Sequence, residues 1–198
     1  MLIHTLPTPP LHTALFEHDF QEFSNFVQRG VVRDARDEHG ATALHLSCGY
    51  PFSISRVRVL LDAGFDVEAV DKDQQRPLHY ACFTGSWKKA QLLLEKGATV
   101  NAVDQEERTP LHYVCMPFRL LQFRLYLQQY KTFDSFESLV QDGRHAFAKL
   151  LIDRGANLEA VDEVRNRPIH CACELGDPGL VAQLLDSGAD IEAKVIEA

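Results

Sequence analysis

The chain carries the stretch Thr109-Pro110-Leu111-His112-Tyr113-Val114, and the Leu-His pair within it decides the fold because such pairs return at a nearly fixed spacing. The other pairs are Leu11-His12, Leu44-His45, Leu78-His79 and Ile169-His170. Successive histidines lie 33, 34, 33 and 58 residues apart, and the last step equals one period of 33 plus 25 additional residues. A period of this length is typical of stacked supersecondary units, each of which contacts only its neighbours.

Each period predicts a turn followed by two helices. An aspartate stands eight residues before the later histidines and opens a polar turn, at Asp37, Asp71, Asp104 and Asp162. The first helix begins near the proline or alanine of the motif, because proline at the first helical position costs no hydrogen bond. The second helix has apolar residues at helical spacing, as at Val57, Leu60 and Leu61. Glycine then ends it, at Gly30, Gly64, Gly97, Gly155 and Gly188.

The stretch at 109–114 resembles the T-P-L-H-x-A signature of the ankyrin repeat, and the resemblance covers nearly the whole chain. It implies an all-α repeat solenoid, an ankyrin array of helix-turn-helix units whose turns project as short β-hairpin fingers. We predict a single ankyrin repeat domain over residues 1–198. Its five repeats lie at about 5–36, 37–70, 71–103, 104–161 and 162–194, and the fourth carries an insertion near 116–145.

Composition narrows the functional classes. The formal net charge of −8 argues against nucleic-acid binding, which needs a basic surface. No window approaches 18 apolar residues, so the sequence predicts no membrane span. The first ten residues lack a basic segment and contain three prolines, unlike a signal peptide. We therefore expect a cytoplasmic or nuclear protein, monomeric by default.

The repeated histidines and cysteines could suggest metal ligands, since Cys48, Cys82, Cys115 and Cys173 each follow a repeat histidine by three residues. Equivalent positions of adjacent repeats lie ~10 Å apart, too far for one tetrahedral centre. A small buried residue is the better interpretation of each cysteine. The resemblance implies that the histidine ring bonds the threonine three residues earlier. Thr42 and Thr109 keep that partner, whereas Arg76 and Arg167 replace it. No catalytic, metal or cofactor site is predicted, and we expect no enzymatic activity.

Three departures from the repeat pattern are informative. The glycine that the family places in the finger survives only as Gly40, with Gln74, Glu107 and Arg165 at the equivalent positions. Either these residues adopt an unfavourable φ, or the turn differs. The last repeat looks like an interior one, whereas terminal repeats need a polar outer face. The chain is thus either a piece of a longer array or has an end that a partner covers.

The insertion is the third departure. It is dense in apolar residues from Phe118 to Tyr130, and residues 116–145 carry four basic and three acidic groups. We expect the first helix of the fourth repeat to extend to about residue 130 and the chain to return through a short second helix. Insertions in solenoids often lie on a functional face. The insertion is either a specificity element or a folded-back excursion whose aromatic residues cover one another.

Ankyrin arrays bind proteins on the concave surface formed by the finger tips and the exposed side of the first helices. Projecting those positions onto this sequence, and adding the insertion, predicts a set of partner-binding residues. They are Phe16, Tyr50, Lys72, Asp73, Phe83, Glu106, Arg108, Met116, Phe118, Arg119, Phe123 and Glu163. The alternative is that the aromatic members pack only on one another.

The resemblance therefore implies a protein-protein interaction module, which acts as a scaffold, adaptor or inhibitor. The alternative is the regulatory or targeting part of a longer enzyme or of a ubiquitin-ligase-type adaptor. Asn101 occupies the finger asparagine that intracellular hydroxylases modify in many ankyrin arrays.

Overall fold

The computed structural model describes residues 10–17, 20–29, 33–50, 52–117 and 143–192. Within these ranges the regular structure consists of α-helices, and no strand is present. The helices are α1 (Pro10–Glu17), α2 (Phe20–Gln28), α3 (Ala43–Gly49), α4 (Ile54–Asp62), α5 (Pro77–Phe83), α6 (Trp87–Glu95), α7 (Pro110–Cys115), α8 (Arg144–Asp153), α9 (Pro168–Leu175) and α10 (Pro178–Asp186). Two helices per repeat confirm the predicted all-α repeat class.

The chain divides into two compact subdomains, the first drawn from residues 1–81 and 88–99 and the second from 82–87 and 100–198. In the first subdomain, α1 packs against α2 and α3, and α4 packs against α2 and α3. In the second, α7 packs against α8 and α9, and α10 packs against α8 and α9. Within each subdomain a first helix thus contacts its own second helix and the first helix of the next repeat. The assignment of residues 1–198 to one domain stays a prediction.

The core of each subdomain lies between its helix pairs. Leu44 and Leu60 are fully buried in the first subdomain, as are Leu111, Leu151 and Leu184 in the second. These leucines stand at helical spacing on the faces that the sequence predicts to be apolar. Periodicity alone therefore locates the core in both subdomains.

The fingers are tight turns that an aspartate side chain organises. Asp71 Oδ1 accepts hydrogen bonds from the backbone N–H of Asp73 at 2.9 Å and of Gln75 at 2.8 Å, and its own N–H donates to the Gln75 carbonyl at 3.0 Å. The same pattern returns at Asp37, Asp104 and Asp162. An aspartate carboxylate that bonds the backbone two residues on is a recognised turn former. The predicted fingers are present as hairpin turns without strands in the described ranges.

The finger glycine is replaced without loss of the turn. Gln74, Glu107 and Arg165 adopt φ values of 59°, 59° and 69°, the left-handed conformation that Gly40 also has at 80°. For residues other than glycine this conformation costs about 1–2 kcal/mol. At Gly40 an added β-carbon would lie 3.0 Å from the backbone nitrogen of Lys72, so that finger also needs the space. Of the two predicted alternatives, the unfavourable φ is the one found.

The first helix of the fourth repeat is not lengthened as predicted. Helix α7 ends at Cys115, and Met116 is extended, with φ −73° and ψ 147°. Pro117 explains this end, because a proline disfavours the helical conformation of the preceding residue. Residues 118–142, and with them the predicted contact residues Phe118, Arg119 and Phe123, lie outside the described residues.

Candidate functional site

The repeat histidines join neighbouring repeats. The Nδ1 atom of His45 accepts hydrogen bonds from the Thr42 backbone N–H at 3.1 Å and from the Thr42 hydroxyl at 2.9 Å. The proton is therefore on Nε2, which donates to the Gln75 carbonyl at 3.1 Å. His112 makes the same bonds to Thr109 and to the Asn166 carbonyl at 3.1 Å. The predicted bond between the histidine and the threonine three residues earlier is confirmed.

Burial keeps these imidazoles neutral. It lowers the pKa of His45 to about 4, and it also lowers the pKa of His12 and of His112. A protonated ring would place a second N–H against the backbone N–H that Nδ1 now accepts from. The ring nitrogens of His45 are thus occupied by the structural bonds between adjacent repeats, so the histidine serves the packing.

Where arginine replaces the threonine, it forms an ion pair with the preceding repeat. Arg76 Nε lies 3.2 Å from the Glu68 carboxylate, and an Arg167 guanidinium nitrogen lies 2.7 Å from the Glu159 carboxylate. The backbone N–H groups of both arginines still donate to their histidines at 2.9 Å. The substitution therefore keeps the turn and adds a contact between repeats that the sequence analysis did not foresee.

Asn101 occupies the place of those glutamates in the third repeat. Its amide donates to the Gly155 carbonyl at 2.9 Å, and its Oδ1 accepts from the Asn157 backbone N–H at 2.7 Å. The side chain thus links two loops of the second subdomain.

Three of the four cysteines that follow a repeat histidine by three residues pack as small core residues, as predicted. Cys48, Cys82, Cys115 and Cys171 are buried, and all five thiols are free of disulfides. Burial raises the pKa of the Cys48 thiol to about 12, which keeps it protonated. In the described part of the chain, no group of three or more histidine, cysteine or acidic residues is placed to hold a metal ion. The prediction is wrong for Cys173, the fourth of these cysteines, which is exposed in the last repeat.

The predicted contact residues of the first subdomain form an aromatic cluster. The rings of Phe16 and Tyr50 meet edge to face with centroids 4.8 Å apart, and Phe52 lies 5.1 Å from Phe16. The Arg56 guanidinium lies 5.4 Å from the Phe52 ring centroid. Tyr50 is 2% exposed, so its side chain supports its neighbours and offers a partner almost no surface, whereas Phe16 keeps partial exposure.

A buried lysine caps the C-terminal end of α3, the helix that leads into this cluster. Lys89 is 5% exposed, and its ammonium group donates to the carbonyls of Ser47 at 2.8 Å and of Tyr50, at the C-terminal end of α3. Burial lowers the pKa of Lys89 to about 8. Sequence reasoning missed this residue, although Lys89 stands three and four residues before the buried Leu92 and Leu93 and so shares their face.

In the second subdomain the predicted contact residues are more accessible. Phe83 and Met116 are half-buried, and the Phe83 ring contacts Tyr113 with centroids 6.1 Å apart. Trp87 is 37% exposed, and a β-carbon on Gly143 would lie 3.3 Å from its Cδ1 atom. The indole therefore lies where the chain returns from the insertion. No pattern in the sequence predicts its exposure, because the contact joins Trp87 to Gly143, 56 positions away.

The charged contact residues lie on the fingers. Lys72 and Asp73 are exposed in the first subdomain, as are Glu106 and Glu163 in the second. Backbone hydrogen bonds hold adjacent finger tips together, from Lys72 N–H to His39 O at 3.0 Å and from Glu163 N–H to Glu106 O at 2.9 Å. The Arg108 guanidinium pairs with the Glu106 carboxylate and is half-buried. The exposed members are fixed by backbone contacts and present their side chains to solvent.

A groove of about 280 Å³ lies between α8 and α10, but its polar groups satisfy one another. His145 Nε2 lies 3.0 Å from the Asp177 carboxylate, and Lys149 pairs with Asp153 at 3.2 Å. Gln183 donates to the His145 carbonyl at 3.0 Å. The contacts of His145 with Asp177 and Gln183 join the two helices, and the Lys149–Asp153 pair lies within α8, so the polar lining of the groove is explained by packing.

In the described ranges no helix is both long and apolar enough to cross a bilayer.

Comparison with known proteins identifies the repeats. The family model for ankyrin repeats (3 copies) matches residues 11–104, and the family model for a single ankyrin repeat matches residues 165–195. Together the two matches cover more than half of the chain.

Two curated relatives match parts of this chain. The chain is 32% identical over 189 residues to human Ankyrin repeat and SOCS box protein 16, across 92% of this chain and 36% of that protein. It is 34% identical over 76 residues to Tyrosine-protein kinase HTK16 of Hydra vulgaris, across 37% of this chain and 10% of that protein. The chain thus spans about a third of the first relative and a tenth of the second. With the helix pairs, the bonded histidines and the matched repeats in agreement, the chain belongs to the ankyrin repeat family.

Proposed function

We propose that the protein is a non-catalytic protein-protein interaction module, a scaffold, adaptor or inhibitor. Its partner contacts half-exposed side chains at the C-terminal ends of the first helices, Trp87 at the start of α6, and the charged finger tips. The observation that carries the proposal is the difference between two classes of residue in the repeat. Four of the five repeat histidines and four of the five cysteines are buried, whereas Phe83, Trp87 and Met116 keep accessible surface.

The chemistry of these accessible residues suits a protein surface. Aromatic residues and methionine are enriched in the centres of interfaces, and charged residues at the rim. Phe83, Trp87 and Met116 supply such a centre in the second subdomain, and Glu106 and Glu163 supply exposed carboxylates on its fingers. In the first subdomain, Phe16 contributes apolar surface, and Lys72 and Asp73 contribute the charges. The insertion residues Phe118, Arg119 and Phe123 stay part of the proposal.

The test is the affinity of Phe83→Ala for a partner recovered by affinity purification with the whole chain. We expect binding to weaken by at least ~1–2 kcal/mol, because truncating a residue at the centre of an interface typically has that effect. Phe20→Ala is the matched control, since Phe20 is 42% exposed on a second helix of the first subdomain. Equal affinities for the wild type and Phe83→Ala would contradict the proposed surface. Deleting residues 117–141 tests the insertion in the same assay.

A second candidate is the adaptor portion of a longer protein. It is favoured by the match across 92% of this chain to a relative named for ankyrin repeats and a SOCS box, of which the chain spans 36%. The match to the kinase relative likewise covers only 10% of a longer protein. The source transcript should then encode further protein downstream of Ala198, and a stop codon at that point would contradict this candidate.

We place the protein in a reducing compartment, the cytoplasm or the nucleus. All five cysteines are free thiols, and an exposed free thiol such as Cys173 persists where thiols are kept reduced. Fractionation of cells that express the chain tests this, and recovery from the secretory pathway would contradict it.

A further inference from the structure

The last repeat exposes a position that the earlier repeats bury. Three residues after the repeat histidine, Cys48, Cys82 and Cys115 are at most 2% exposed, whereas Cys173 is exposed. In the second subdomain the reason is visible, because α7 carries Cys115 and packs against α9 of the following repeat. Cys173 stands at the same place on α9. A side chain at this position is therefore one that the first helix of a following repeat covers.

The loop after the second helix shows the same difference. Val67, Val100 and Leu158 stand three residues after the helix-ending glycines Gly64, Gly97 and Gly155, and all three are half-buried. Ile191 stands three residues after Gly188 and is 74% exposed. An exposed isoleucine at a position that is otherwise partly covered marks an incomplete contact between repeats.

A polar contact in this loop indicates what covers the face. The Glu159 carboxylate accepts a hydrogen bond from the Asp190 backbone N–H of the next repeat at 2.9 Å and pairs with Arg167 at 2.7 Å. In the first subdomain, Glu68 likewise accepts from the Thr99 N–H at 2.9 Å and pairs with Arg76 at 3.2 Å. Each glutamate thus binds one loop N–H and one guanidinium of the repeat that follows.

The choice between glutamate and asparagine goes with the motif of the next repeat. After Glu68 and Glu159, the next repeat has arginine at the threonine position of the motif, whereas after Asn101 it keeps Thr109. Glu192 holds this position in the last repeat and is exposed. Its carboxylate therefore matches a following repeat that carries arginine.

We propose that Cys173, Ile191 and Glu192 form an end face that docks a further ankyrin-type helix pair of the same polypeptide, with an arginine three residues before its motif histidine. The argument is continuity with the interface between the fourth and fifth repeats, whose equivalent groups are already paired. The arginine binds the Glu192 carboxylate, a loop N–H of the added repeat donates to the same group, and the added first helix covers Cys173. This end face is separate from the surface around Phe83, so the two proposals fail independently.

The experiment extends the chain by one ankyrin-type repeat in register, with its histidine 33 residues after His170. One version carries arginine at the threonine position and the other carries threonine. The rate at which Cys173 reacts with a thiol-specific disulfide reagent reports coverage of the face, and a Cys173→Ser variant identifies the signal. We expect Cys173 of the 198-residue chain to react quickly, and the arginine extension to slow the reaction at least tenfold.

Glu192→Gln separates a specific contact from mere proximity. It should leave the 198-residue chain unchanged but abolish the advantage in protection of the arginine version over the threonine version. Glu159→Gln is the matched positive control, because its contact is already present in the chain. The proposal is overturned if Cys173 is protected in the 198-residue chain, if that chain forms a dimer through this face, or if neither extension slows the reaction.

Discussion

The buried histidine His45 makes folding sensitive to mild acid. Burial lowers its folded-state pKa to about 4 from the usual 6.5, so the unfolded chain binds a proton in a pH range where the folded chain does not. Its contribution to stability is complete above pH ~6.5 and is lost as the pH falls towards 4. Linkage of these two pKa values gives a loss of about 1.3 kcal/mol between pH 7.5 and 5.5 from this group. The shift in the pKa of His12 and of His112 has the same sign, so the whole-chain loss is larger.

The assay is urea unfolding followed by far-ultraviolet circular dichroism at pH 7.5, 6.5 and 5.5. The variant His45→Gln should be less stable at pH 7.5, because it loses the bonds to Thr42 and Gln75, each worth about 1 kcal/mol. Its further loss between pH 7.5 and 5.5 should be about 1.3 kcal/mol smaller than that of the wild type. His39→Gln, at an exposed histidine of the same subdomain, controls for the removal of an imidazole. An equal loss in His45→Gln and the wild type would refute a neutral, buried His45.

Two further predictions concern stability. Gln74→Gly should stabilise the first subdomain by about 1 kcal/mol, because it removes the strain of a left-handed φ at an exposed side chain. The opposite substitution at the equivalent finger position, Gly40→Gln, should destabilise it. The urea concentration at the midpoint of unfolding checks both. Burial lowers the pKa of Lys89, so its contribution to stability falls as the pH drops from 10.5 towards 8. Between pH 7.5 and 9.5 the free energy of unfolding of the wild type should therefore rise by about 2 kcal/mol relative to that of Lys89→Met. Lys88→Met, at the exposed neighbour, is the control. If the difference in unfolding free energy between the wild type and Lys89→Met did not change with pH, it would show that Lys89 is not buried in its charged form.

The sequence predicted most of the fold because the repeat constrains it many times over. The Leu-His spacing, the turn aspartates and the helix-ending glycines each predict the same helix pairs, and the structure places helices at all of them within the described residues. The end of α7 was also readable, since Pro117 disfavours a helical Met116, but the apolar run beyond it favoured a longer helix.

The rest depends on contacts between distant residues. The burial of Tyr50 follows from rings that meet in space, and a list of exposed motif positions cannot show it. The ion pair of Arg167 with Glu159 joins two repeats, and it can be recognised only when the positions of both loops in the fold are known. The exposure of Trp87 depends on where residue 143 returns to the fold. These contacts are tertiary, so periodicity fixes the positions of the residues but not their surroundings.

The central claim is that the repeat histidines serve packing, while the half-exposed side chains at the ends of the first helices bind a protein. Amide chemical shifts of the isotopically labelled chain, recorded while the recovered partner is added, test this most directly. We predict that the largest changes lie at Phe83, Glu106 and Met116, and that the amides of α8 and α10 lining the groove between those helices change little. Changes confined to α8 and α10, with Phe83 and Met116 unaffected, would contradict the account.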